Sequence, residues 1–186
     1  VTGVQTLLFR SNQGENRRYI ASAFSFQNNG LFRNFEYFNQ NQTKLLAGSI
    51  LKAIRDFTSV AQADKVVIHF YKEMKYEELQ PIIEGMYQLE LGVPLYILNI
   101  NKTESEDIIA YDLNWNHKLM PVSGTYIRID SNQFLLFNNA RYPNSQYYTD
   151  TDGYPFPIKI KMSSPDDDAF EDANVALELL TQVYQF

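Results

Sequence analysis

KVVIHFYKEMKYEELQPIIEGMYQLELGVPLYILNI, residues 65–100, reads as strand, helix, strand. Val66-Val67-Ile68 is an unbroken apolar run, β-branched and too short for a helix, which is the pattern of a strand covered on both faces. A helix is predicted over residues 75–91, with Pro81 tolerated in its first turns. Gly92-Val93-Pro94 stops it, and LYILNI follows as a second buried strand. Two such strands joined by a helix make a right-handed parallel crossover. The first strand ends in chemistry: His69, two aromatics, Lys72 and Glu73. Strand ends of this kind carry catalytic residues in many folds, so the chemistry there has to be read alongside the topology.

Outward toward the N-terminus, residues 1–38 read as a β-meander. VTGVQTLLF is one apolar run, RYIASAFSF alternates, and LFRNFEYF returns after Asn28-Asn29-Gly30, a turn sequence that accommodates positive φ. Thr43 is the expected N-cap of a helix over residues 44–57, with Leu45, Leu46, Ile50, Leu51, Ile54 and Phe57 on one stripe. Toward the C-terminus, residues 117–137 read as further strands with a turn at Ser131-Asn132. NNARYPNSQYYTDTDGYPFP is a long loop, PIKIKM a last strand, and a helix is expected from about Asp166. The first residues start inside an apparent strand and the last stop inside an amphipathic helix, so the expectation is one domain over residues 1–186 of a longer protein.

Composition bounds the function. The chain has 186 residues, 45% hydrophobic and 15% aromatic, enough for a packed core. It has no cysteine, which excludes disulfides and thiolate metal sites. No apolar run approaches the ~20 residues of a membrane span, and the expected location is cytoplasmic. The net charge of −6 is unevenly spread. Residues 1–60 hold 7 basic and 3 acidic side chains; residues 163–186 hold 6 acidic and no basic ones. The acidic end suits a solvated helix start, and a local basic groove remains open elsewhere.

The element order β-β-β-α-β-α-β, then strands, then α, is that of an α/β ribonuclease H-like fold: a mixed sheet, antiparallel meander first and parallel strands after, flanked by helices. A nuclease of that fold holds two metal ions on carboxylates. VTGVQTLLFR, where the first of these belongs, contains no Asp or Glu. At the end of KVVIHFY, Glu73 is the only carboxylate candidate for a metal, and helix-start acidity explains it as well. With only two histidines, His69 and His117, a histidine metal cluster is not expected. PIKIKM presents Lys159 and Lys161, which repel metal and attract phosphate. There is no GxGxxG, Walker loop, HExxH or GxSxG, and YYTDTDGY lacks the spacing of a calcium loop.

VVIHFYKEMKYEEL, the preceding helix, and FLLFNNARYPNSQYYTDTDGYPFPIKI in this order resemble the PIWI domain of Argonaute proteins across nearly the whole chain. The resemblance implies guide-strand binding, pairing with a target strand, and a preceding MID domain. Slicing members use an Asp-Glu-Asp-Asp/His tetrad. This sequence departs from it in its first strand, around Lys72-Glu73 or His69, and near Pro157 to Lys159. Such departures resemble the short prokaryotic Argonautes, which bind guide and target in defence without cutting and work with an associated effector protein. The expected nucleic-acid contacts are His69, Lys72, Arg141, Tyr142, Lys159 and Lys161, with Arg17 and Arg18 behind them. No cofactor is expected; Mg²⁺ or Mn²⁺ enters only under the alternative of an active nuclease, which needs an acid upstream of Val1 and, as ligands, Glu73 with one of Glu36 or Glu15. A second alternative is a protein-interaction domain that keeps the fold.

Overall fold

The computed structural model describes residues 2–10, 19–26, 32–40, 43–59, 63–102, 108–114, 120–139, 141–142, 156–166, 168–170 and 172–185. They form two compact units, residues 1–99 with 163–169 and residues 100–162 with 170–186.

The first unit opens on β1 (Thr2–Arg10), β2 (Tyr19–Phe26) and β3 (Phe32–Gln40). β1 pairs antiparallel with β2, and β2 with β3, which is the expected meander. The Asn28-Asn29-Gly30 turn lies outside the described residues, as do Arg17 and Arg18. α1 (Thr43–Thr58) follows, then β4 (Val66–Phe70), α2 (Tyr76–Gln88) and β5 (Leu95–Asn101). β4 is parallel to both β1 and β5, so β4 sits inside the sheet and the crossover is the one the apolar runs called for. All five β4 residues are buried. Val66, Ile68 and Phe70 point to one face and pack with Leu46, Ile50 and Ile54 of α1 and Ile82 and Met86 of α2. Val67 and His69 therefore point to the other face, because side chains alternate along a strand.

α1 and α2 approach closely at one residue. A Cβ placed on Gly85 would lie 2.1 Å from Leu51 Cδ1, so glycine is what lets the Leu51 side chain lie against the α2 backbone. α2 starts on half a capping box: the Lys75 N–H donates to Glu78 Oε2 at 2.9 Å, while a lysine side chain has no acceptor to complete the reciprocal bond.

In the second unit, β6 (Thr125–Asp130), β7 (Gln133–Phe137) and β8 (Ile158–Ser163) form antiparallel neighbours in that order. The Ser131-Asn132 turn is present. Asn132 ties it to the end of β8, donating through Nδ2 to the Met162 carbonyl at 2.8 Å while its own carbonyl accepts from Met162 N–H. Gly124 enters β6 at φ +86°, a left-handed turn that donates to the Phe137 carbonyl. α3 (Ala173–Gln185) buries Leu179, Leu180 and Val183.

Two sequence expectations shift. Residues 120–124 form no strand. The last helix starts at Ala173 instead of near Asp166, because the polar side chains make local turns. Ser164 Oγ accepts from the Asp166 N–H, and Asp172 Oδ1 accepts from the Asn174 N–H at 2.9 Å, so Asp172 takes the N-cap role.

Candidate nucleic-acid interface

In the first unit the C-terminal end of β4 is the point at which chemistry was expected. His69 is only 7% exposed. Burial pushes its imidazole down to about 4, so it is neutral at pH 7. The register pairs it with Gln5 on β1 and Leu98 on β5. Beyond the strand, Lys72 turns back toward α2: Nζ lies 2.8 Å from Glu78 Oε1 and 5.7 Å from the centre of the Phe70 ring. Glu78 thus serves both the Lys72 ammonium and the α2 N-terminus, and Lys72 keeps one partly open side. Glu73 is exposed. Among the described residues, no three His, Asp or Glu side chains come together as metal ligands.

In the second unit Arg141 is a structural fork. Its Nη1 lies 2.6 Å from Asp112 Oδ2 and also donates to the Met120 carbonyl. The Arg141 guanidinium, and then the Asn114 N–H, hold the Asp112 carboxyl below its usual range. The backbone around Arg141 is equally committed: its N–H donates to Asn139 Oδ1 at 2.8 Å, and its carbonyl accepts from Ser123 N–H at 2.7 Å. Asn139 Nδ2 reaches the Pro121 carbonyl at 2.9 Å, and its N–H donates to Ser123 Oγ. Tyr184 of α3 closes the network with a hydroxyl 3.2 Å from the same Ser123 Oγ. Buried polar groups of this kind are stable only when each is bonded.

The consequence is an anchored loop root. Tyr142, directly after Arg141, is 53% exposed at the start of the long loop, whose residues 143–155 lie outside the described set. On β8, Ile160 and Met162 are fully buried while Lys159 and Lys161 are half-buried on the opposite face, beside Leu135 and Gln133 of β7. Of the six expected contacts, the structure therefore groups Arg141 with Tyr142 and Lys159 with Lys161 inside one unit. His69 and Lys72 belong to the other unit.

Sequence reasoning missed Asp112, Ser123, Asn139 and Tyr184. They are scattered over more than 70 positions of chain with no motif; the one available signal was a polar Ser-Gly and Asn-Asn flanking apolar runs. No helix among the described residues is long and apolar enough to cross a membrane.

No family model matches this sequence, and no curated protein matches it. Solved structures do. The chain is similar to Marinitoga piezophila Argonaute in complex with 5′ OH guide RNA and target DNA, at a TM-score of 0.64 and 15% identity over 98% of this chain and 26% of that one. It is similar to Drosophila Piwi at 0.62 and 13% identity, over 98% and 25% of the two chains. Aquifex aeolicus Argonaute gives 0.59 and 15% identity over 98% and 25%. The chain spans about a quarter of the length of the structures it matches. Its fold is that of an Argonaute PIWI domain, ribonuclease H-like, with a mixed sheet flanked by helices.

Proposed function

We propose that this chain recognises a guide strand paired to its target and holds the duplex without cutting it. The observation that carries the proposal is a fold of Argonaute type whose strands β1, β4, β5 and β8 lack carboxylates. TGVQTLLFR, VVIHF, LYILNIN and IKIKMS, the sequences of β1, β4, β5 and β8, contain no Asp or Glu. Two hard cations need several carboxylate oxygens held by rigid elements. At the register point where β1 and β4 meet, the residues are Gln5 and His69. Duplex binding needs only phosphate contacts and shape complementarity.

The six residues divide by chemistry. Tyr142, exposed on an anchored root, offers a ring for stacking or a hydroxyl for a phosphate. Lys159 and Lys161 supply charge from a rigid strand, and Lys72 supplies it from beyond β4. His69, neutral and buried, and Arg141, committed to Asp112, act by holding their neighbours in place. A binder that does not cut needs another protein to act on recognition, so we assign it an associated effector protein and a role in prokaryotic defence in the cytoplasm. The proposal takes residues 1–186 as the PIWI part of a longer protein with a preceding MID domain.

The test uses the longest natural polypeptide that contains this chain, a 5′-phosphorylated guide and a labelled complementary strand, in Mg²⁺ and in Mn²⁺. The expected result is tight, complementarity-dependent binding with the target intact. Cleavage opposite the guide, abolished by Glu73→Gln, would overturn the non-cutting reading; no complementarity-dependent binding would overturn the whole proposal.

A further inference from the structure

β6 is an edge strand: among the described residues it pairs with β7 and with no strand beyond it. Proteins commonly blunt such an edge with lysine, proline or inward-pointing charge, because its open N–H and C=O groups invite another strand. β6 does little of this. Its sequence, TYIRID, is rich in strand formers, and Tyr126, Ile127 and Ile129 are 45%, 41% and 48% exposed. Ile127 shares a face with Leu135 of β7, while Tyr126 and Arg128 share the other with Leu136 and Phe134. The register shifts after Arg128, so the regular edge ends there.

The register also tells which backbone groups the edge leaves open. The Phe137 carbonyl accepts from Gly124 N–H, so Phe137 directs its backbone toward β6; the Asn132 carbonyl accepts from Met162 N–H, so Asn132 directs its own toward β8. This direction alternates along β7, so Leu135 also turns to β6 and exchanges bonds with its partner Ile127. Tyr126 and Arg128, on either side of Ile127, then aim their N–H and C=O groups out of the sheet. The Arg128 side chain is held over its own sheet: Nε donates to the Asp130 carbonyl at 3.0 Å, Nη2 to the Ser131 carbonyl at 2.7 Å, and the guanidinium lies 5.9 Å from the centre of the Phe134 ring. On the same face a cleft of about 170 Å³ opens between β6 and α3, with Tyr126, Arg128, Phe134 and the 45% exposed Leu177 in its walls.

A second β6 complements this edge. We infer that two copies of the protein pair β6 to β6, antiparallel, about a two-fold axis at Ile127. Tyr126 of each copy then stands opposite Arg128 of the other, and the two residues exchange both of their open backbone bonds. Ile127 meets its own counterpart at the centre, in the closer, non-hydrogen-bonded spacing. No charge opposes a like charge, whereas an axis at Arg128 would set the two arginines directly against each other. Each Tyr126 also comes to the mouth of the cleft that Arg128 lines in the other copy. The contact is isologous and closes at two copies. The axis is perpendicular to the sheet, so the Lys159 and Lys161 faces of both copies look the same way, but the inference stands without the nucleic-acid reading.

The test uses the longest natural polypeptide that contains this chain. In sedimentation velocity over a concentration series, the mass-average is expected to rise from that of one copy to that of two. Ile127→Lys, which sets two ammonium groups at the axis, is expected to return it to one copy while circular dichroism shows the fold kept. The chain has no cysteine, so an introduced thiol reports the register. Ile127→Cys is expected to cross-link into a covalent dimer under mild oxidation, because directly opposite residues there approach to about 4.5 Å between Cα atoms. Ile129→Cys, away from the axis, is expected to cross-link no more than the unsubstituted polypeptide. A single copy at every concentration overturns the inference, including one whose Tyr126 and Arg128 amides are protected from hydrogen exchange by another segment or another protein. A dimer indifferent to Ile127→Lys, or one that cross-links equally at both positions, overturns it too.

Discussion

Burying an imidazole makes stability depend on pH. His69 is held neutral to about pH 4 in the folded protein, against 6.5 in an open chain. Between those values the unfolded state binds the additional proton, so stability is fully present above about pH 6.5 and is lost as pH falls toward 4. The loss is on the order of 3 kcal/mol at its fullest. Urea midpoints at pH 7.5 and 5 are expected to differ, and His69→Gln to reduce that difference; an unchanged difference would mean other groups cause it. Asp112 acts lower on the scale: Arg141 depresses its pKa, so its contribution holds above the ordinary carboxylate value and fades only as pH drops beneath it. In the same network, Asn139→Ala strips partners from the Pro121 carbonyl and the Arg141 N–H. It is expected to cost about 1–3 kcal/mol, and Tyr184→Phe about 1 kcal/mol, both read from denaturant unfolding. Equal small effects from the two would show that the network is wet and weak.

At the scale of elements, the α1–α2 contact depends on one missing side chain. Gly85→Ala has to displace Leu51 and is expected to cost about 1–3 kcal/mol, despite alanine's better helix propensity; a rise in thermal midpoint would show that Leu51 rotates away freely. The apolar stripe of α1 and the buried β4 were readable in sequence, because a 3.6-residue period and an unbroken β-branched run each have one natural packing solution. The start of α3 was not. Asp166 to Asp168 look like favourable first-turn acids, but Ser164-Pro165 and Asp172 set their own turns, and the helix waits until Ala173. Short polar side chains compete for the backbone, and which competitor wins depends on where the neighbouring elements let the chain go.

For the whole molecule, the nucleic-acid reading predicts a salt signature. Lys159→Ala and Lys161→Ala are each expected to weaken duplex binding evenly across sequences and to lower the slope of log affinity against log salt by about 1. Anisotropy titrations at several salt concentrations measure this, and slopes identical to the parent chain's would mark both lysines as solvated strand residues. The order of strands and helices, the parallel crossover and the lack of carboxylates in β1, β4, β5 and β8 were all determined by sequence alone, since they follow from local period and residue type. Tertiary structure alone decided what each polar group does. It made His69 a neutral buried residue and Arg141 an anchor for the loop root. It gathered Asp112, Ser123, Asn139 and Tyr184 around that anchor. The reason is that a charge or a hydrogen bond depends on burial and on partners distant in sequence, and only the folded chain sets either.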